Sequence, residues 1–218
     1  TTPRNDPLRE VIAEVDGVRP EHVFLHNGSG AILKLAVPHL IRSKILSSKR
    51  RMLRHAVAKS GCPIITPSFT YSKVPKKAAE IGLTVEMIPL QPSQGFQLDA
   101  DELERRLQKN PGLVYLVNPN NPTGNLLIDR DRLVSLVERF EDAIFWVDEA
   151  YVQYVDPARH RYVSDLVPKY PNLVVGRSFS FAWGLAGIRI GYLLAAPDTV
   201  DELESKITDY RLGTVAEE

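Results

Sequence analysis

Four short segments of this 218-residue chain carry the residue types from which a ligand site can be assembled. In Asn27-Gly28-Ser29-Gly30-Ala31, small residues let a backbone approach a ligand. A helix starting there offers unpaired N–H groups and a positive dipole end to a phosphate. A tight turn with Ser29 as the helix cap accounts for the same string equally well. Asn118-Pro119-Asn120-Asn121-Pro122-Thr123-Gly124 combines two prolines that fix the backbone, a glycine that permits unusual dihedrals, and three side-chain amides that can point at a ligand. Its plainer reading is a rigid turn, which leaves unexplained why so much polar chemistry adjoins the apolar run at 113–117. Val147-Asp148-Glu149-Ala150-Tyr151 puts a carboxylate at the end of another apolar run. A buried charge there needs a partner, and either a protonated heterocyclic nitrogen or a neighbouring arginine would serve. Tyr151 adds a hydroxyl. Finally, Arg177-Ser178-Phe179-Ser180-Phe181-Ala182-Trp183-Gly184-Leu185-Ala186-Gly187-Ile188-Arg189 offers two serines in strand alternation and, in Arg189, a planar fork suited to a phosphate dianion. Each segment alone is ordinary. Together they describe a phosphate cradle, an amide, a carboxylate and a hydroxyl.

Such turns need a scaffold that gathers them. Strand-like and helix-like patterns alternate along the chain, which predicts an α/β fold with a mostly parallel sheet covered by helices. Buried-strand patterns fall at 22–25, 63–66, 84–88, 113–117, 144–147, 173–175 and 190–195. Helical patterns fall at 6–15, where Leu8, Val11, Ile12 and Val15 recur at helical spacing, and at 31–40, 73–81, 101–108, 129–140 and 198–210. One more helix is expected over 43–59, and Asp99 is placed to cap a helix with Glu102 as its capping-box partner. Each of the four segments follows a strand, and ligands of open α/β sheets bind beyond the carboxyl ends of the strands.

Composition narrows the function classes. Acidic and basic residues are equal at 27 each, so no overall field favours nucleic acid or an anionic membrane. The basic run Lys44, Lys49, Arg50, Arg51 and Arg54 reads as a solvated helix face, having no interleaved aromatics. A single cysteine, Cys62, excludes an internal disulfide framework and a thiolate metal site. No stretch reaches the roughly 20 apolar residues of a membrane span, and no signal peptide opens the chain. A cytoplasmic protein is the expectation.

The strings NPNNPTG, VDEAY and SFS-x-x-x-GLAGIRIGY, in this order, resemble fold-type I pyridoxal-phosphate (PLP) enzymes of the class I/II aminotransferase group, most closely the histidinol-phosphate aminotransferase-like branch. The resemblance implies the large domain of the aspartate-aminotransferase-like fold: a three-layer α/β arrangement filling 1–218, with its core at about 17–197 and 198–218 starting the connection to a small domain largely absent here. It implies that Asp148 pairs with the protonated pyridine nitrogen, and that Asn121 and Tyr151 hydrogen-bond the ring hydroxyl. Ser178, Ser180 and Arg189 would bind the phosphate, helped by backbone groups at Ser29, Gly30 and Ala31. Phe69 would stack on the ring, and the Asn121–Pro122 bond is a candidate for the cis form. Relatives of this kind form homodimers and take small-molecule amino donors and acceptors.

One departure dominates. The resemblance places a Schiff-base lysine directly after the second serine and eight residues before the phosphate arginine, and that position is Phe181. A phenyl ring can neither form the covalent link nor shuttle a proton, so no catalytic residue is assigned. The family's N-terminal arm would precede Thr1 and its small domain would follow Glu218. A second aromatic of the family falls at Ser72, with Tyr71 one place off. Two readings follow. One is an aminotransferase-like protein acting on an amino acid or amino-phosphate, with pyridoxal or pyridoxamine 5′-phosphate held non-covalently. The other is a catalytically inactive homologue that binds the cofactor, a related phosphate or a partner protein. A nucleotide-binding reading lacks its G-x-G-x-x-G after the first strand.

Overall fold

The computed structural model describes residues 7–47, 63–80, 82–156 and 162–207. Its strands are β1 (Val23–His26), β2 (Ile64–Pro67), β3 (Val85–Ile88), β4 (Leu113–Val117), β5 (Ile144–Asp148), β6 (Leu173–Ser178) and β7 (Gly191–Leu194). They form one sheet in the order β1-β7-β6-β5-β4-β2-β3. Only β7 runs against its neighbours. Strands covered on both faces must be apolar nearly throughout, and β4 (LVYLV) and β5 (IFWVD) are buried at every position. The seven strands lie where the apolar runs place them, with ends shifted by at most three residues.

The helices are α1 (Pro7–Asp16), α2 (Ser29–Ser47), α3 (Lys73–Glu80), α4 (Ala100–Lys109), α5 (Arg130–Arg139) and α6 (Pro197–Glu204). On one sheet face Val114, Phe145, Val147 and Val175 pack with Ile12 of α1, Leu103 and Leu107 of α4, and Leu133 and Leu136 of α5. On the other, Tyr115, Val117, Trp146 and Val174 pack with Ile32 and Ala36 of α2, Val74 and Ala78 of α3, and Val200 and Leu203 of α6. The alternation of strand side chains thus feeds two cores, giving three layers. Asp99 caps α4 by accepting the Glu102 N–H at 2.9 Å. The reciprocal half of the capping box is missing, because the Glu102 carboxylate accepts from Arg106 Nε at 2.7 Å instead.

Helix α1 forms where the apolar spacing places it, but turns a different stripe inward. Val11 and Val15 are 55% and 72% exposed, and the buried stripe is Arg9, Ile12, Ala13 and Asp16. Ion pairing turns the helix: Arg9 meets Glu204 and Asp16 meets Arg177, and both pairs are sequestered. The helix expected from 31 begins at Ser29 and absorbs the start of the one expected over 43–59. The rest of that segment, with Lys49, Arg50, Arg51 and Arg54, lies outside the described residues, as does Cys62 beyond it. Among the described residues, no helix is long and apolar enough to cross a membrane.

Candidate functional site

The carboxyl ends of the parallel strands and the start of β7 share one edge of the sheet. Asp148 pairs in register with Val117 of β4 and Gly176 of β6. Ser178 pairs with Gly191 of β7, and Gly191 with His26 of β1. Asp148, Ser178, the 189–191 turn and the turn into α2 therefore follow one another along adjacent strands about 4.8 Å apart.

Two carboxylates end β5, and they have opposite fates. Glu149 is fully buried and takes the arginine: Arg177 donates to its Oε2 from Nε and Nη2 at 3.0 and 2.6 Å. Asp148, 7% exposed, faces the α2 side. Its Oδ2 accepts from Tyr115 Oη at 2.7 Å and its Oδ1 from the Ala150 N–H at 3.1 Å. Both donors are neutral, and among the described residues no Lys or Arg pairs with it. Burial accordingly holds its carboxyl above the usual range; the two hydrogen bonds offset this in part, and the Glu149 charge adds to it. The same burial and the Asp148 charge raise the hydroxyls of Tyr115 and Tyr151, keeping both protonated donors. Tyr115 was not singled out from sequence. Its signal is a phenol inside an aliphatic strand, a group that must find a partner when buried.

Of the three asparagines in 118–124, two are consumed in building the turn. Asn118 accepts the Leu127 N–H at 2.7 Å and donates to Ile128 O at 3.1 Å. Asn120 donates to Phe69 O at 3.0 Å and accepts from Thr70 Oγ1 at 2.8 Å, tying this turn to the one after β2. Asn121 is left for the site, donating to Tyr151 Oη at 3.0 Å. The Asn121–Pro122 bond is cis, and so is Asn118–Pro119. Phe69 has φ 49° and a 63% exposed ring edge-on to Phe96. Phe181 packs on Tyr151 with ring centroids 4.5 Å apart and planes 31° apart.

At the other end, the Ser29 and Gly30 N–H groups meet no acceptor among the described residues, whereas the Ala31 N–H is directed at Gly28 O at 3.1 Å. Of the three backbone donors expected at the start of α2, Ala31 is thus the one already engaged within its own turn. The serines also differ from expectation. β6 stops at Ser178, and the Ser180 N–H bonds back to Ser178 Oγ at 3.1 Å, so a local turn rather than strand alternation brings them together. Arg189, at φ 63°, donates from Nη1 to Ala186 O at 3.1 Å and lays its guanidinium over Gly28. A Cβ on Gly28 would sit 2.6 Å from Arg189 Nη2, and one on Gly191 would sit 2.5 Å from Ser29 N. Both glycines are needed for close approach, Gly28 also for its φ of +77°. Gly28→Ala is expected to displace the guanidinium and to cost about 1 kcal/mol of stability from the positive φ. It should weaken inorganic phosphate binding roughly tenfold, about the worth of one charge-assisted hydrogen bond. Calorimetric titration with phosphate beside a thermal melt checks it. A concavity of about 680 Å³ elsewhere, lined by Gln97, Leu98, Ala100 and residues 126–132, holds none of these groups.

These residues suit a flat, protonated ring bearing a phosphate. Among the described residues, one end is a buried carboxylate without a cation, and the other is a cradle of N–H groups without acceptors, a serine hydroxyl and a guanidinium, in a space that any side chain on Gly28 would fill. Residues 46–214 match the family model for aminotransferase class I and II. The chain is 33% identical to the histidinol-phosphate aminotransferase of Anaeromyxobacter sp. (strain Fw109-5) over 96% of its own length and 52% of that protein's. It spans about half the length of the curated relatives it matches. Its fold is similar to an aspartate aminotransferase from Thermotoga maritima, with a TM-score of 0.75 at 23% identity over 98% of this chain and 54% of the other. It is also similar to a histidinol-phosphate aminotransferase from Sinorhizobium meliloti solved with pyridoxal-5′-phosphate, with a TM-score of 0.74 at 26% identity over 95% of this chain and 51% of that one.

Proposed function

The chain belongs to the class I and II aminotransferases, and from that premise we propose that its sheet edge binds pyridoxal or pyridoxamine 5′-phosphate without a covalent link. The observation that carries this reading is Asp148: a carboxylate sealed against two neutral donors, beside a second carboxylate that has claimed the local arginine. A protonated pyridine nitrogen is the cation such a group lacks. When bound, the ring supplies an electron sink for the carbon that carries the transferred nitrogen. Asp148 holds the proton on the ring nitrogen, while Asn121 and Tyr151 present their amide and hydroxyl to the ring's own hydroxyl. Ser178, Ser180, Arg189 and the Ser29 and Gly30 N–H groups hold the phosphate dianion, and Phe69 covers a ring face. Phe181 stands where a lysine would be used, and it offers neither an amine nor a transferable proton.

The substrate class of this reading is a small amino acid or amino-phosphate, handled by a homodimer. A second reading, a homologue that keeps the cofactor or a partner but not turnover, is favoured by the Tyr151–Phe181 stack, which sets an apolar ring beside a hydroxyl that this reading gives to the cofactor. The test is a titration of the full-length protein with PLP, followed by visible absorbance and then borohydride. The expected result is a saturable spectral change that dialysis reverses, with no lysine adduct after reduction. A pyridoxamine spectrum on adding amino donors would separate the first reading from the second. Absence of any PLP binding would remove both cofactor readings.

A further inference from the structure

Arg177 plays no part in the scheme above, yet it is 3% exposed and heavily bonded. Besides its two bonds to Glu149, it donates from Nη1 to Asp16 and from Nη2 to Ser164 Oγ at 3.3 Å, and it lies over the Tyr162 ring, 4.8 Å from the centroid. Tyr192 donates to the other Asp16 oxygen at 2.9 Å, and the Val163 N–H donates to Glu149 Oε1 at 3.2 Å. The cluster therefore joins the end of α1, the end of β5, β6 and β7.

Each strand member of this cluster is the sequence neighbour of a site group. Glu149 follows Asp148, Arg177 precedes Ser178, and Tyr192 follows Gly191, which packs beneath the Gly28–Ser29 turn. Successive strand residues face opposite sides, so the cluster grips, from the α1 face, the strand ends whose other side chains form the site on the α2 face. A buried ion cluster is rarely the most stable filling for such a space, since apolar replacement is often neutral or stabilising. What it adds is direction: a planar fork with several bonds at fixed angles sets the relative height of three strands.

We infer that Arg177 is a positioning residue that fixes Asp148 relative to the phosphate-binding turn, so that a ligand spanning both ends feels its loss and a ligand touching one end does not. This rests on the cofactor reading above. The test compares PLP, which spans the site, with inorganic phosphate, which touches one end, in the full-length wild type and in Arg177→Lys, which keeps the charge and loses the fork. Circular dichroism and a thermal melt first establish the folded fraction. Arg177→Lys is expected to lower PLP affinity about tenfold and phosphate affinity by less than about twofold, the size of coupling seen within one polar network. Simple destabilisation would weaken both ligands alike. Tyr192→Phe, which removes only the hydroxyl tying Asp16 to β7, provides the same comparison if the lysine variant does not fold, with a smaller effect in the same direction. Equal losses for both ligands, or none for either, in a folded variant would overturn the inference alone. Failure of the wild type to bind PLP, read before any variant is made, would overturn the cofactor reading with it.

Discussion

Phe181→Lys is expected to convert reversible cofactor binding into covalent capture. The ring it replaces is 45% exposed and stacks on Tyr151, so the substitution should cost the fold less than about 1 kcal/mol. A lysine there reaches the space now filled by the phenyl ring, beside the Asn121–Tyr151 pair that would hold the ring hydroxyl. After gel filtration the variant should retain PLP where the wild type releases it, and borohydride should fix the adduct at residue 181 by peptide mass. Half-transamination by an amino donor should rise by at least about 100-fold, the usual worth of a positioned acid/base group. A variant that folds and binds PLP as the wild type does, yet shows no adduct at 181, would mean that Phe181 does not stand at the reacting position.

What could be read from the amino-acid order divides along physical lines. The strands were legible because a sheet buried on both faces demands uninterrupted apolar runs, and Leu113–Val117 and Ile144–Asp148 leave little alternative. The turns were legible because Gly28, Pro122 and Gly124 do backbone work that other residues do badly. Which of two adjacent carboxylates receives the arginine was not legible. That depends on which face each side chain leaves the sheet by after β5 has ended, and on Asp16, far away in sequence at the end of α1. The exposure of Val11 and Val15, despite their helical apolar spacing, has the same origin. Hydrophobic periodicity weights valine above arginine, and only a partner such as Glu204 makes Arg9 the residue to bury. Tyr115 was hidden for a related reason: its strand reads as core, and the hydroxyl becomes informative only once Val117 and Asp148 are known to lie side by side. Long-range polar pairing, not local pattern, is the part that sequence periodicity does not encode.

Asp148→Asn should move stability and affinity in opposite directions. Burial holds the Asp148 carboxyl above its ordinary value in the ligand-free fold, so the charged form is disfavoured there relative to the unfolded chain. A carboxyl raised in this way leaves stability intact below its unfolded value, about pH 4, and removes it as pH climbs through the folded value. Asparagine keeps the size; its Oδ1 can accept the Ala150 N–H and its Nδ2 can donate to Tyr115 Oη, and it has no charge to bury. The ligand-free variant is therefore expected to melt about 2–4 °C higher than the wild type at pH 7.5, corresponding to roughly 1 kcal/mol for a chain of this size. That advantage should shrink as the pH falls and the wild-type carboxyl takes up its proton, which burial makes easier than for an exposed aspartate. Affinity should go the other way. Removing one member of a buried charge pair costs about 2 kcal/mol or more, so PLP binding should weaken by roughly 30-fold, while inorganic phosphate, held at Ser178, Ser180, Arg189 and the start of α2, should bind as before. A residue kept for the fold would show loss in both melts and titrations. A residue kept for a cationic ring shows gain in the first and loss in the second, because the charge that burdens the empty fold is the one the ring requires.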